Sequence, residues 1–242
     1  MDINKFFYKL FLVDSRNLPT TFIGSAFPVA PDGGLLTCRH VIDVSIPDGH
    51  AIAVYDPIIS DFVRISHPPL WPVNPEVDMV YLPNVFGHPK REFFPILLPH
   101  QLKIGEDVYS FGYFSIGGSP NNVEQGYFSG KIVNFFRHEH GVDQASFMLP
   151  FPILEGMSGS PVLTYHNGPK LVGIAIGNRS SHILAHEIFE YKDDKKEFKE
   201  TINRIIEFGV AYHPAAIIQF LSEVGVKGFI VSDQRVELSG LE

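Results

Sequence analysis

Three short segments place a histidine, an aspartate and a serine in settings typical of catalytic groups. His40 follows Leu35-Leu36-Thr37-Cys38-Arg39, Asp78 precedes Met79-Val80-Tyr81-Leu82, and Ser158 lies in Glu155-Gly156-Met157-Ser158-Gly159-Ser160-Pro161. A serine hydroxyl is a weak nucleophile until an adjacent base accepts its proton, and histidine suits that role because it titrates near neutral pH. A buried carboxylate would fix the imidazole tautomer and stabilise the imidazolium. The three segments predict a catalytic triad of His40, Asp78 and Ser158.

The glycines around Ser158 predict a tight turn whose backbone N–H groups converge on one point. We expect the N–H groups of Gly156 and Ser158 to form an oxyanion hole. Ser160 is the alternative nucleophile, but the glycines on both sides of Ser158 and the following proline favour Ser158. The apolar strand after Asp78 favours that residue over its rivals, which are Asp43, Asp48 and Asp56.

Other reactive side chains are better explained without a second site. His138 and His140 alternate beside a glycine turn, and we expect them to be exposed. His182 and His186 have helical spacing but lack the glutamate of a zinc-peptidase motif. Cys38 has an apolar neighbourhood, which is typical of a small core residue. We therefore predict no metal site and no cofactor.

The elements that must position the triad have the sequence pattern of strands. The 21 phenylalanines, with 21 glycines and 19 prolines, indicate aromatic strands separated by turns, so we predict an all-β fold. Near the end, Pro214 at a first helical turn and the apolar spacing after it predict a helix over 214–224. The charged stretch 191–199 is interpreted as a solvated helix or an inserted loop.

Composition and charge exclude several other classes of protein. Hydrophobic residues make up 45% of the 242-residue chain, which excludes bulk disorder, and the net charge of −8 argues against a nucleic-acid-binding protein. No apolar run approaches the length of a membrane span, and the first residues resemble a strand rather than a signal peptide. The single cysteine excludes an intramolecular disulfide and predicts a reducing, cytoplasmic location.

Taken together, these motifs resemble the trypsin-like serine peptidases, and most closely their bacterial HtrA and glutamyl endopeptidase branch. The matching features are the Gly24-Ser25-Ala26-Phe27 strand, the Thr37-Cys38-Arg39-His40 segment, the Asp78-Met79-Val80-Tyr81-Leu82 strand and the Gly156-Met157-Ser158-Gly159-Ser160-Pro161 turn. The resemblance implies two antiparallel Greek-key β-barrels and a C-terminal helix. Residues 1–98 would form the barrel with His40 and Asp78, and residues 99–242 the barrel with Ser158. Met157 stands where many relatives have aspartate, and residues 179–206 look longer than usual.

The resemblance also implies a function, which is hydrolysis of polypeptides by a serine endopeptidase through an acyl-enzyme. The pocket for the residue before the scissile bond would be formed by Pro152 and by Ala175, Ile176, Gly177 and Asn178. No carboxylate occurs among them, so we expect cleavage after small or medium apolar residues, unless the 179–206 segment brings Glu187 or Glu190 into the pocket. Two alternatives remain. One is a protease activated by a regulatory partner, and the other is a non-catalytic protein-binding module on the same fold.

Overall fold

The computed structural model describes residues 6–86, 92–115, 122–137, 145–165, 167–192 and 195–232. Within these ranges most of the regular secondary structure is β-strand. The strands are β1 Tyr8–Val13, β2 Pro19–Pro28, β3 Leu35–Thr37, β4 Ala51–Asp56, β5 Asp61–Arg64, β6 Val80–Leu82, β7 Ile96–Leu97, β8 Asp107–Ser115, β9 Val123–Lys131, β10 Asn134–Arg137, β11 Ala145–Leu149, β12 Pro161–Tyr165, β13 Pro169–Lys192, β14 Lys195–Tyr212 and β15 Val231–Ser232. The helices are α1 Arg39–Ile42 and α2 Pro214–Glu223, and a short 3-10 helix spans Pro99–Gln101.

The described strands form two sheets. The first has six strands in the order β5-β4-β1-β2-β3-β6. The second has nine: seven follow the order β10-β11-β14-β13-β12-β8-β9, and β7 and β15 attach through β13. Neighbouring strands are antiparallel except at β7, which runs parallel to β13 and β15. The predicted all-β, chymotrypsin-like fold with a C-terminal helix is confirmed.

A shared core joins the two sheets. Phe27 and Leu36 of the first sheet belong to the same buried cluster as Leu171 and Ile174 of β13, and α2 contributes Ile217 to it. A second buried cluster, which includes Phe147, packs against the second sheet. Because close-packed interiors deform little, loops at the junction of the sheets are held in fixed positions relative to each other.

Helix α2 begins where the sequence predicts it. His213 precedes the first turn, and its Nδ1 accepts a hydrogen bond from the Ala215 N–H at 3.3 Å. Ala216, Ile217, Phe220 and Leu221 lie on one face and are buried, as expected for residues spaced by one helical turn. Among the described residues, no helix is long and apolar enough to cross a membrane.

The interpretation of residues 191–199 as a helix or loop is wrong for the described part of that stretch. β13 continues to Lys192 and β14 begins at Lys195, so that the chain forms a long antiparallel hairpin, which we call the arm. Pairing runs from Arg179 with Phe208 out to Lys192 with Lys195. Cross-strand hydrogen bonds satisfy the backbone along the arm, and the charged stretch taken alone does not reveal this pairing.

Candidate active site

Strand register brings His40 and Asp78 together. β3 is fully buried and pairs with β6, with Thr37 opposite Val80. Beyond Thr37 the chain enters α1, whose second residue is His40. In an antiparallel pair, the residues that follow Thr37 lie beside those that precede Val80, and Asp78 is among the latter. The apolar strands identified in the sequence are therefore the scaffold of this pair.

Two hydrogen bonds fix the imidazole against the carboxylate. His40 Nδ1 lies 2.6 Å from Asp78 Oδ2, and the His40 backbone N–H donates to Asp78 Oδ1 at 2.9 Å. An ionised carboxylate can only accept, so Nδ1 carries the proton and Nε2 keeps its free lone pair. The side chain of His40 is 50% exposed and that of Asp78 is 26% exposed. The imidazole is thus oriented from one side and open on the other.

Tyr212 of β14 adds a contact that sequence reasoning missed. Its hydroxyl accepts a hydrogen bond from the Asp78 backbone N–H at 3.0 Å. Burial raises the pKa of Tyr212 to about 12, so the phenol is neutral and places no negative charge beside the carboxylate. The contact connects Asp78 in the first sheet to a strand of the second. No local motif predicts it, because the two residues are far apart in the chain.

The turn that carries Ser158 is anchored to the strands that lead to His40. The Ser25 backbone N–H donates to Ser158 O at 3.0 Å, and the Ser25 hydroxyl donates to Gly156 O at 2.9 Å. The Thr37 hydroxyl in turn donates to Ser25 O at 2.7 Å. Gly159 has φ +85, and a Cβ there would lie 2.1 Å from Ser25 O. Only glycine permits this approach, which holds the turn against β2 and β3.

Exposure separates the two candidate serines. Ser158 is half-buried, whereas Ser160 is 0% exposed and belongs to the packed interior. In the described part of the chain, the Ser160 hydroxyl has no hydrogen-bond partner. A substrate could reach Ser158 but not Ser160. Met157 is also fully buried and packs in the core of the second sheet.

The turn presents two backbone donors. The Met157 N–H donates to Leu154 O, the Gly159 N–H donates to Ala175 O, and the Ser160 N–H donates to Met157 O. Within the described ranges, the N–H groups of Gly156 and Ser158 have no such acceptor. An alternation of this kind leaves two donors free for an oxyanion. Gly156 has φ +93, and a Cβ there would lie 2.1 Å from the Phe22 ring.

Two of the five residues predicted to line a pocket bind this turn or the segment before it: Ala175 exchanges backbone hydrogen bonds with Gly159 and Ser160, and Asn178 binds Ile153. Asn178 holds the segment before it, because its side chain donates to Ile153 O at 2.9 Å and accepts from the Ile153 N–H at 2.6 Å. Pro152 and Ile176 are half-buried. A Cβ added at Gly177 would point into open space, whereas Ala175 is fully buried in the core. The space beside Gly177 is therefore open, whereas Ala175 is part of the packed interior.

Comparison with known proteins decides the family. The profile of the trypsin-like peptidase domain matches residues 24–174, which is more than half of the chain. The chain belongs to the trypsin-like peptidase domain family. A comparison with curated protein sequences finds no significant match. The predicted resemblance to trypsin-like peptidases is confirmed.

Solved structures of HtrA-type proteases share the fold of this trypsin-like domain. The protease AlgW with a decapeptide is 15% identical with a TM-score of 0.57, and the match covers 90% of this chain and 63% of that one. An AlgW variant with a tripeptide is 14% identical with a TM-score of 0.59, covering 91% and 60%. The chain therefore spans less than two thirds of the length of these proteins. At such low identity, the likeness describes the fold.

Cys38 lies next to the histidine and carboxylate of this trypsin-like domain. The ligand atoms of Cys38, His40 and Asp78 lie within 4.8 Å of one another, which could suit a metal ion. The thiol, however, is fully buried and donates to Ala175 O at 3.2 Å. Burial, with the negative charge of Asp78, raises the pKa of the Cys38 thiol well above its usual value. A metal ligand must be the thiolate, so the environment fits a protonated core thiol better.

Gly156→Ala keeps the backbone N–H but should displace it, and we expect kcat to fall by about 10²- to 10³-fold, the range observed when one oxyanion-hole donor is lost. The new Cβ would meet the Phe22 ring, and the positive φ would be strained. Steady-state hydrolysis of a peptide ester measures the effect. Gly105→Ala is the matched control, because Gly105 has φ +82 but open space around it. Equal kcat values for the two variants would argue against an oxyanion hole at Gly156.

Proposed function

We propose that this chain is a serine endopeptidase that hydrolyses polypeptides through an acyl-enzyme on Ser158, in a two-barrel unit divided near residue 98. The observation that carries the proposal is the His40–Asp78 pair, with 2.6 Å between Nδ1 and Oδ2. The pair lies next to the ends of β3 and β6, and Thr37 of β3 binds Ser25, which in turn binds the Ser158 turn. The peptides in the AlgW structures support a polypeptide as the substrate class. Fold alone would not distinguish an enzyme from a binding module.

Each residue has one role in the proposed reaction. His40 Nε2 accepts the Ser158 proton while Oγ bonds to the scissile carbonyl carbon, and the electron pair of the carbonyl moves onto its oxygen. The N–H groups of Gly156 and Ser158 stabilise that oxyanion, and Asp78 stabilises the imidazolium. As the oxyanion collapses, His40 gives its proton to the leaving amine. Water then attacks the ester by the same steps and releases the acid.

Labelling with a fluorophosphonate tests the proposal. We expect the native chain to form one covalent adduct, and peptide mapping to locate it on Ser158 rather than on Ser160. Heat-denatured protein is the control, because labelling should need the assembled site. A folded chain that stays unlabelled would favour the binding module. Labelling that appears only after a partner protein is added would favour the partner-activated protease.

The partner-activated alternative has one structural observation in its favour. The arm begins at Arg179, directly after Asn178 of the predicted pocket. A protein bound along the arm would act on a strand that continues into the pocket wall. Such a partner would change acylation by moving that wall rather than the His40–Asp78 pair, so its effect would depend on the side chain before the scissile bond.

We propose that the enzyme prefers small or medium apolar residues before the scissile bond. Pro152, Ile176 and Gly177 offer no charge to pair with lysine or arginine, and an unpaired charge in such a pocket is costly. Glu187 and Glu190 lie out on the arm, where the backbone pairs opposite Thr201 and Phe198. Glu187 is separated from Asn178 by roughly 30 Å of strand, at about 3.3 Å per residue. This placement supports an apolar pocket.

A peptide library that varies the residue before the cut tests this preference. Cleavage should occur mainly after Ala, Val, Leu or Met, because each buries apolar surface worth about 25 cal/mol per Å². A profile dominated by Lys or Arg would contradict the proposal. Glu187→Gln and Glu190→Gln are the matched variants. If the wild type cleaved after Lys or Arg and either variant lost that preference, the arm would be shown to supply an acid to the pocket.

A further inference from the structure

A cavity of about 300 Å³ lies away from the catalytic groups, between the first sheet and the β8–β9 pair. The side chains around it come from β1, β4, β8 and β9 and from the residues that flank β1 and β4. They are Phe7, Lys9, Tyr55, Pro57, Tyr113, Val123 and Gln125. Lys9 is the charged residue among these seven, so the position of its ammonium determines which ligand charge the cavity would accept.

The Lys9 ammonium lies over two aromatic rings. Its Nζ lies 4.7 Å from the Tyr113 ring centroid and 5.7 Å from that of Tyr55. Among the residues that the structure describes, no carboxylate lies within ion-pair distance of it. Burial lowers the pKa of Lys9, the direction expected for an ammonium that has lost water without gaining an anion. The protein's own cation occupies the aromatic cage, which argues against a cationic ligand.

The remaining walls suit a carboxylate on a short apolar stem. Burial raises the pKa of Tyr113 to about 12, so its hydroxyl is neutral and can donate a hydrogen bond. Gln125 supplies an amide donor, and Phe7 and Val123 supply apolar surface. An ammonium with nearby neutral donors is a strong binding site for a carboxylate. The chain carries a net charge of −8, so this half-buried cation is unlike its overall surface.

The β8–β9 pair leads from the cavity to the turn that carries Ser158. Tyr113 pairs with Gln125, and two residues further along β8 the Ser115 N–H donates to Glu155 O at 3.1 Å. Two residues of strand span about 7 Å. Glu155 directly precedes Gly156, so the cavity lies a few residues of extended peptide from the predicted oxyanion hole.

The cavity and the predicted pocket are connected to this turn through different residues. Phe22 lies beside Gly156, and its ring lies 5.4 Å from that of Phe11 in a cluster that Tyr55 and Val123 of the cavity also join. Asn178 of the predicted pocket instead binds Ile153. A substrate whose residue before the scissile bond enters the pocket would continue, after the bond, toward the cavity.

We propose that this cavity is a subsite for an acidic side chain of the substrate, roughly two to four residues after the scissile bond at about 3.3 Å per residue. The inference rests on the proposed endopeptidase function. Lys9 and the Tyr113 hydroxyl bind the carboxylate, and Phe7 and Val123 contact its stem. The subsite selects substrates by the sequence that follows the cleaved bond.

Binding to the Ser158→Ala protein tests the subsite without hydrolysis. C-terminally amidated fluorescent peptides, with Glu or Gln at the second, third or fourth position after an Ala-Ala bond, are titrated by anisotropy. We expect one Glu peptide to bind about tenfold more tightly than its Gln partner, the effect of one hydrogen bond to a charged group. Lys9→Met should bring the ratio close to one, whereas Lys227→Met, which removes an exposed lysine, should leave it unchanged.

Further measurements keep the result interpretable. Thermal melts establish that the variants fold, and Tyr113→Phe provides a second test because it removes only a hydroxyl and should weaken the Glu preference. Equal binding of the Glu and Gln peptides, or a preference that survives both Lys9→Met and Tyr113→Phe, would overturn the subsite. If the wild type hydrolyses no library peptide but the Lys9-dependent preference is present, the proposed endopeptidase function fails, and the cavity is a carboxylate-binding site of a non-catalytic protein rather than a substrate subsite. If the wild type hydrolyses peptides without any preference after the cut, the subsite fails and the endopeptidase function stands.

Discussion

Asp78→Asn should lower kcat about 10⁴-fold, with little change in KM or in the melting temperature. The asparagine side chain keeps an oxygen for the His40 backbone N–H, which in the native protein donates to Asp78 Oδ1 at 2.9 Å. Its amide group, however, donates where Asp78 Oδ2 accepts from Nδ1 at 2.6 Å. The imidazole must then carry its proton on Nε2, where it cannot act as a base. The variant would therefore lose activity because its imidazole has the wrong tautomer, while its fold would stay the same.

Asp43→Asn is the matched control for this experiment. Asp43 lies three residues after His40 in the chain and pairs with Arg39 at 3.6 Å, but its side chain is 64% exposed. Exposed ion pairs contribute little, so this variant should keep kcat within a few-fold of the wild type. Initial rates with a peptide ester, together with the rate of fluorophosphonate labelling, measure both variants. Equal losses from Asp43→Asn and Asp78→Asn, or a loss below about tenfold for Asp78→Asn, would contradict the role of Asp78.

The fold could be predicted because its signals are local. The buried β3 strand and the proline that starts α2 are visible in a few residues of sequence. The closeness of His40 to Asp78 could also be predicted, because it depends on a single antiparallel register between β3 and β6. Strand period and helix period are direct consequences of backbone geometry, so such patterns carry over to the structure.

The contacts that complete the site could not be predicted, because they join distant parts of the chain. Tyr212 reaches Asp78 across the junction of the two sheets, and Ser25 binds the Ser158 turn from the first sheet. Lys9 meets Tyr113 in the same way. Each of these residues looks ordinary in its own segment. The prediction for the arm was wrong for a different reason. The pairing partners of residues 191–199 lie close by in the sequence, as Tyr191 with Lys196 and Phe189 with Lys199, but the charged composition of this stretch favours a solvated helix or a loop.

These long-range contacts also hold the Ser158 turn as one unit against the strands of the first sheet. Ser25 bonds both Gly156 O and Ser158 O, and Gly159 packs against Ser25 and Thr37. The proposed nucleophile and the proposed oxyanion donors are therefore positioned by the strands that lead to His40. Residues that act as a unit show non-additive losses when they are replaced. A double variant at His40 and Ser158 should consequently lose little more activity than either single variant.

Ser158→Ala should lower kcat by about 10⁶-fold, the size observed when a triad nucleophile is removed from another serine peptidase. Residual hydrolysis would come from the oxyanion donors and substrate binding, which the substitution leaves in place. Ser160→Ala is the matched control, two residues away in the same turn. The Ser160 hydroxyl is buried without a hydrogen-bond partner among the described residues, so its removal should leave kcat close to the wild-type value and should not lower the melting temperature. Turnover of a peptide ester and fluorophosphonate labelling, measured on both variants, decide between the serines. Loss of labelling in Ser160→Ala with retention in Ser158→Ala would assign the nucleophile to Ser160 instead.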